Sequence, residues 1–140
     1  MTIEINNTTR QRVNEKLLKK AIDVFGREFK LKNKFVSVAI VGDTVIRKLN
    51  KQYRHKDKIT DVLSFVDGGK DGNLGEIVIC YQQIKRQAKK LNSSIAKEFV
   101  FIFIHGLLHL VGYNDKTEKG WQEMEKIGLQ LCKSVIDNRS

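Results

Sequence analysis

The chain is 140 residues long, 41% hydrophobic and 30% charged, a balance that fits one globular domain with its own core and excludes a disordered or collagen-like chain. Its 26 Lys and Arg against 16 Asp and Glu leave a formal charge of +10, whose simplest use is a polyanionic partner such as nucleic acid, with solubility in a lysine-rich composition as the plainer alternative. The opening MTIEINNTTRQRV has no apolar stretch behind a positive start, so no signal peptide is expected and the expected location is cytoplasmic.

In chain order, residues 2–6 alternate apolar and polar, which predicts a short edge strand. Asn7, Thr8 and Thr9 offer cap oxygens to a first helix of about twenty residues. Val13, Leu17, Leu18, Ile22, Val24 and Phe25 recur along it at near-helical spacing, and Arg12, Lys16, Lys19 and Lys20 form a basic outer face. Residues 35–41, FVSVAIV, predict a second strand buried on both faces. After the turn at Gly42, Asp43 is the expected cap of a helix that carries Val45, Ile46 and Leu49 inward and ends near Tyr53 and Arg54.

A lysine-rich loop leads to a third strand over 60–65, whose Asp61 and Ser64 read as turn or strand-end hydrogen-bonders. The Gly-rich stretch 67–73 predicts a hairpin connection into a fourth, central strand over 74–80. Glu76, alone among its apolar residues, either meets a basic or histidine partner or is simply solvated. A basic helix follows over 81–91, and Asn92, Ser93 and Ser94 break it and cap the next, over 94–111. Thr117 is the expected cap of a last helix reaching about Val135, with Trp121, Met124, Ile127, Leu131 and Val135 on its apolar side. Cys80 and Cys132 lack any CxxC or metal-type spacing and read as reduced, buried thiols. The order β-α-β-α-β-β-α-α-α predicts a single α+β domain over 1–140, with a mixed four-stranded sheet and about five helices.

The helix over 94–111 and the turn after it carry the chemistry. Residues 99–115 read FVFIFIHGLLHLVGYND, with His105 and His109 at i and i+4. On a helix that spacing stacks both imidazoles on one face about 5–6 Å apart. Gly112 supplies a helix stop, and Asp115 follows six residues after His109. The plain reading is a core helix with hydrogen-bonded histidines. Two neutral imidazoles side by side with a carboxylate at short range favour a metal site. The H-E-x-x-H motif of metalloproteases places its general base after the first histidine; that position is Gly106 here, so peptidase chemistry of that kind lacks its base. The apolar run 99–111 is too short to span a bilayer.

The run HGLLHLVGYND at 105–115 resembles the signature of the YbeY family of metal-dependent endoribonucleases. YRHKDKITDVLSF at 53–65 and LGEIVIC at 74–80 are similar to that family's other two blocks, in the same order. The resemblance implies a single-strand-specific endoribonuclease that acts in maturation of rRNA, including the 3′ end of 16S rRNA, and in ribosome quality control. Its partners would then be RNA and the small ribosomal subunit, with no membrane. It also implies that His105, His109 and Asp115 hold one divalent metal that activates a water, zinc by the family's habit, that Arg54 is tied to activity, its guanidinium suited to a phosphate, and that Asp61 and Ser64 line the cleft.

The chain departs from the family pattern in having Asp115 where a third histidine is usual. A carboxylate favours harder ions such as manganese or magnesium more than a third imidazole would. His55, the only other histidine, is the alternative third ligand. Ile59 and Val66 stand where the family has prolines. Two other readings remain at this level: a non-catalytic ribosome- or RNA-binding factor with a structural metal, and a metal-dependent hydrolase of another substrate.

Overall fold

In the computed structural model, which describes residues 1–137, the first alternating stretch forms β1 (Thr2–Asn7), and the apolar β-branched run forms β2 (Phe35–Val41). β1 and β2 pair in parallel, as do β2 and β4 (Asn73–Cys80), while β3 (Val62–Val66) runs antiparallel to β4. The strand order β1-β2-β4-β3 makes this a mixed sheet with β1 and β3 at its edges. The helices are α1 (Glu15–Glu28), α2 (Asp43–Arg54), α3 (Tyr81–Lys90), α4 (Ile95–Leu110) and α5 (Glu118–Asp137). Among the described residues the result is the expected α+β domain with its elements in the expected order.

Successive residues of a strand point to opposite faces, and β4 shows what each face meets. Ile77 and Ile79 enter the main core with α1, α4 and α5. Val78 and Cys80 enter a smaller cluster built on Ile46 of α2. One face of the sheet is therefore covered by α2 and the other by a layer centred on α4. That position explains why α4 is apolar nearly all round: it packs against α1, α3, α5, β3 and β4, and a helix apolar on every side is a buried one. Phe99, Phe103, Ile104, Leu107 and Leu108 are 0–1% exposed, each removing roughly 1.5–3 kcal/mol of apolar surface from water. The helix bearing the two histidines is thus firmly packed on several sides.

Several local expectations change. α1 begins only at Glu15, after Asn14. The side chains of Asn7 and Thr9 are used earlier: Asn7 Oδ1 accepts from the Thr9 amide and hydroxyl, and Thr9 Oγ1 accepts from the Gln11 amide. Such local bonds compete with helix for the same backbone groups, and they shorten α1 to 14 residues. β2 is fully buried on the side of Val36, Val38 and Ile40 but only partly on the side of Phe35, Ser37 and Ala39. Gly42, not Asp43, caps α2; the Asp43 carboxylate accepts two hydrogen bonds from Arg86 instead, at 2.7 and 3.1 Å. Val45 faces solvent, leaving Ile46 and Leu49 inward. β3 starts at Val62 rather than at Thr60. Glu76 is solvated, on the sheet face away from α4. Ser94 caps α4 as expected, its side chain accepting from Lys97 N–H, and Thr117 Oγ1 accepts from Gly120 N–H at the start of α5.

No single helix among the described residues is long and apolar enough to cross a membrane; α3 and α4 meet that composition only jointly and are bent by 120° between them. Cys80 and Cys132 are buried free thiols.

Candidate metal centre and its cleft

Two features of α4 set the geometry. The first is its C-terminal stop. Gly112 takes φ +103°, its amide donates to the His109 carbonyl and the Tyr113 amide donates to the Leu108 carbonyl. This is the Schellman arrangement, which needs a left-handed residue just past the helix end. Tyr113 then packs edge-on against Phe29, the residue just past the end of α1, so the chain turns back and carries Asp115 over the last turn of α4.

The second feature is Gly106. A Cβ there would stand 3.2 Å from Ile77 Cγ2 and 3.2 Å from Ser64 Oγ, and Ser64 Oγ donates to the Gly106 carbonyl at 3.0 Å. The missing side chain lets α4 sit close on β3 and β4, with His105 and His109 turned toward the edge of the sheet. It also shows why no glutamate follows the first histidine: the position faces the sheet interior.

His105 and His109 present Nε2 atoms 3.2 Å apart, and Asp115 Oδ2 lies 3.6 Å from the first and 3.7 Å from the second. The three ligand atoms all fall within 4.8 Å of one another. Tetrahedral ligands about 2.0–2.1 Å from a zinc-sized ion stand about 3.4 Å apart. The donor set therefore fits one metal ion, with three protein ligands and room for a further one. Two imidazole nitrogens facing each other cannot both offer a lone pair without repulsion, and a cation shared with the carboxylate removes that conflict. Burial holds the His105 imidazole below its ordinary pKa, with His109 adding to the effect and Asp115 and Asp61 opposing it. The ring is thus kept in the neutral form that binds metal.

The triad opens into a cleft of about 790 Å³. Tyr53 and Arg54 reach it from the end of α2, and residues 61–66 line it along β3. Phe101 and Ile102 contribute from α4, Asn114 and Lys116 from the turn that carries Asp115, and Trp121 from α5. The cleft thus follows the sheet edge formed by β3. Arg54, exposed and without an acidic partner among the described residues, shares this cleft with the triad. Buried Asn50 helps hold that corner by donating to the Lys58 carbonyl at 3.0 Å.

Asp61 and Ser64 satisfy both readings left open by the sequence, since each hydrogen-bonds and each lines the cleft. One Gln87 amide nitrogen donates to Asp61 at 3.2 Å and to the buried Glu98 at 2.9 Å. This tie between α3, α4 and the start of β3 went unseen in the sequence, although a glutamate at the head of an apolar helix was a signal for it. His55 is not part of the triad; it ends α2 in the left-handed conformation, φ 59°. Trp121, expected on the inner face of α5, is 48% exposed and lines the cleft.

The sequence profile described as Endoribonuclease YbeY matches residues 2–135. A Mycoplasmopsis synoviae protein with that description is 43% identical over 124 residues, covering 81% of this chain and 78% of its own. One from Francisella philomiragia is 35% identical over 135 residues, covering 91% and 85%. The solution structure of TM1509 from Thermotoga maritima is similar with a TM-score of 0.69 and 28% identity, covering 97% of this chain and 90% of that one.

Proposed function

The chain belongs to the YbeY endoribonuclease family, and from that premise we propose that it hydrolyses phosphodiester bonds in single-stranded RNA at the His105–His109–Asp115 centre. The carrying observation is the convergence of those three side chains at a cleft that Arg54 also lines. His105 and His109 would hold the ion through Nε2 and Asp115 through a carboxylate oxygen. When bound there, a divalent metal supplies an acidified water and positive charge for a phosphoryl oxygen. Zinc is the ion we propose, with manganese and magnesium made more acceptable by the carboxylate.

Arg54 would hold a phosphate beside the one attacked. Its five donors form a planar fork that matches phosphate oxygens. The surplus of 26 basic residues over 16 acidic ones raises the local concentration of a polyanion and makes binding salt-dependent. Gly106 and the packed body of α4 keep the two imidazoles in place, so little reorganisation is needed on binding. Ribosomal RNA is the substrate we propose, with the small ribosomal subunit as partner and the cytoplasm as compartment.

The test compares purified wild type, His109→Ala and Arg54→Ala on single-stranded and duplex RNA, with metal content measured for each. Cleavage of single strands by wild type, its loss in His109→Ala together with the metal, and a large drop in Arg54→Ala with the metal retained are expected. Intact RNA with metal-loaded wild type would refute the enzyme and favour a binding factor. Cleavage of small phosphodiesters or peptides in place of RNA would favour another hydrolase.

A further inference from the structure

Two large aromatic side chains lie open to solvent on the cleft, and nothing in the metal chemistry uses them. Tyr53 is 56% exposed and Trp121 is 48% exposed, and both line the same cavity as the triad. Single exposed apolar residues are ordinary on a protein surface; two flat rings on one cleft that is also lined by Arg54 and Lys116 are less so. Tyr53 is followed in the chain by Arg54, and Lys116 lines the cleft from the turn that precedes α5. The Tyr53 ring is also held in place, its centroid 5.1 Å from that of Phe65 in an edge-on arrangement at 74°. Trp121 projects from the first turns of α5, whose start is anchored by the Thr117 cap.

The two rings approach from different sides of the sheet. α2, which carries Tyr53, packs on one face and α5 on the other, and the cleft joins them past the edge strand β3. A chain lying in the cleft would pass along that edge between them. Aromatic faces and cations sharing one groove are the chemistry that holds unpaired nucleobases and their phosphates: every base has a face to stack, and the phosphates meet the charges. A base inside a duplex has no free face to offer.

We infer that Tyr53 and Trp121 are base-stacking positions on either side of the metal centre, so that the preference for single strands is set by these two rings. This rests on the proposed RNA substrate and adds to it the residues that read strandedness. Trp121 is the sole tryptophan in the chain, which makes its stacking directly observable in fluorescence.

The experiment titrates the protein with a short 2′-O-methyl oligoribonucleotide, confirmed intact afterwards on a gel, while cleavage of ordinary RNA is measured alongside. Tryptophan emission should be quenched in a saturable way by the single strand and little by its duplex. Binding of a labelled strand should weaken roughly 5- to 150-fold in Trp121→Ala and in Tyr53→Ala, the range expected for losing one stacked base. Trp121→Phe, which keeps a ring, should recover much of the loss. A strand carrying abasic sites should bind wild type as weakly as the intact strand binds the double variant; a merely structural role for the rings would not produce that match. If wild type cleaves RNA but both alanine variants bind like wild type, or the abasic strand binds as well as the intact one, the stacking positions are refuted and the endoribonuclease reading stands. If wild type neither binds nor cleaves single-stranded RNA, both fall together.

Discussion

Replacing Gly106 by glutamate turns HGLLH into H-E-x-x-H, and by motif alone the change supplies the missing base of a metallopeptidase. The structure points to unfolding instead. The new Cβ would meet Ile77 and Ser64 at 3.2 Å, and overpacking of that kind costs about 1–3 kcal/mol. The carboxyl would lie against Ile77 at a buried position. Keeping it neutral at pH 7 against an ordinary value near 4.3 adds about 3.7 kcal/mol, while the gain in helix propensity over glycine returns only about 0.5 kcal/mol. The net loss of about 4–6 kcal/mol is comparable to the whole stability of many domains.

Urea denaturation followed by far-ultraviolet circular dichroism measures this, with Gly106→Ala as the steric control at about 0–2 kcal/mol. A carboxyl with a raised folded-state pKa destabilises increasingly as pH rises past its unfolded value. The deficit of Gly106→Glu should therefore shrink by up to about 2.7 kcal/mol between pH 7 and pH 5. A Gly106→Glu protein within 1 kcal/mol of wild type at pH 7 would refute the close packing of α4 on the sheet.

Three further outcomes are expected. In metal-stripped protein, burial lowers the His105 pKa below its ordinary 6.5; the unfolded chain then binds more protons, so stability falls as pH drops through 6.5. Chemical denaturation at a series of pH values should show the fall, and His105→Asn should flatten it; an unchanged profile refutes the buried, neutral ring. Phe103→Ala, at a fully buried site on α4, should cost about 3–5 kcal/mol and weaken metal retention with it, since the same helix carries both imidazoles; a loss under 1 kcal/mol in the same assay contradicts α4 as the centre of the core. Free metal at 100 times its dissociation constant should stabilise wild type by about 2.7 kcal/mol, read as a rise in thermal midpoint. Asp115→Ala should lose most of that rise, and an undiminished rise removes Asp115 from the ligand set.

The convergence of His105, His109 and Asp115 was legible along the chain because all three residues lie in one short stretch. A helical repeat puts His105 and His109 on one face, and a glycine stop allows Asp115 to return, so local geometry is enough to bring them together. The strands and their order were legible for a similar reason, since runs such as FVSVAIV and LGEIVIC state their own conformation. Helix starts were less so, because Asn7 and Thr9 can cap a helix or bond to their own neighbours, and the choice depends on β1 pairing beside them.

The cleft belongs to tertiary structure. Tyr53 and Arg54, Ser64, His105 and Trp121 sit on four different elements and meet only because α2 covers one face of the sheet, α4 and α5 the other, and β3 ends the sheet between them. Trp121 illustrates the limit most plainly. Its spacing along α5 matches that of Met124 and Leu131, which are buried, yet the core stops short of the first turn of α5 and the ring stands at the cleft. Periodicity along a helix says which residues share a face. Where the neighbouring element stops, and so which of them the face leaves open, is decided by packing between segments distant in the chain.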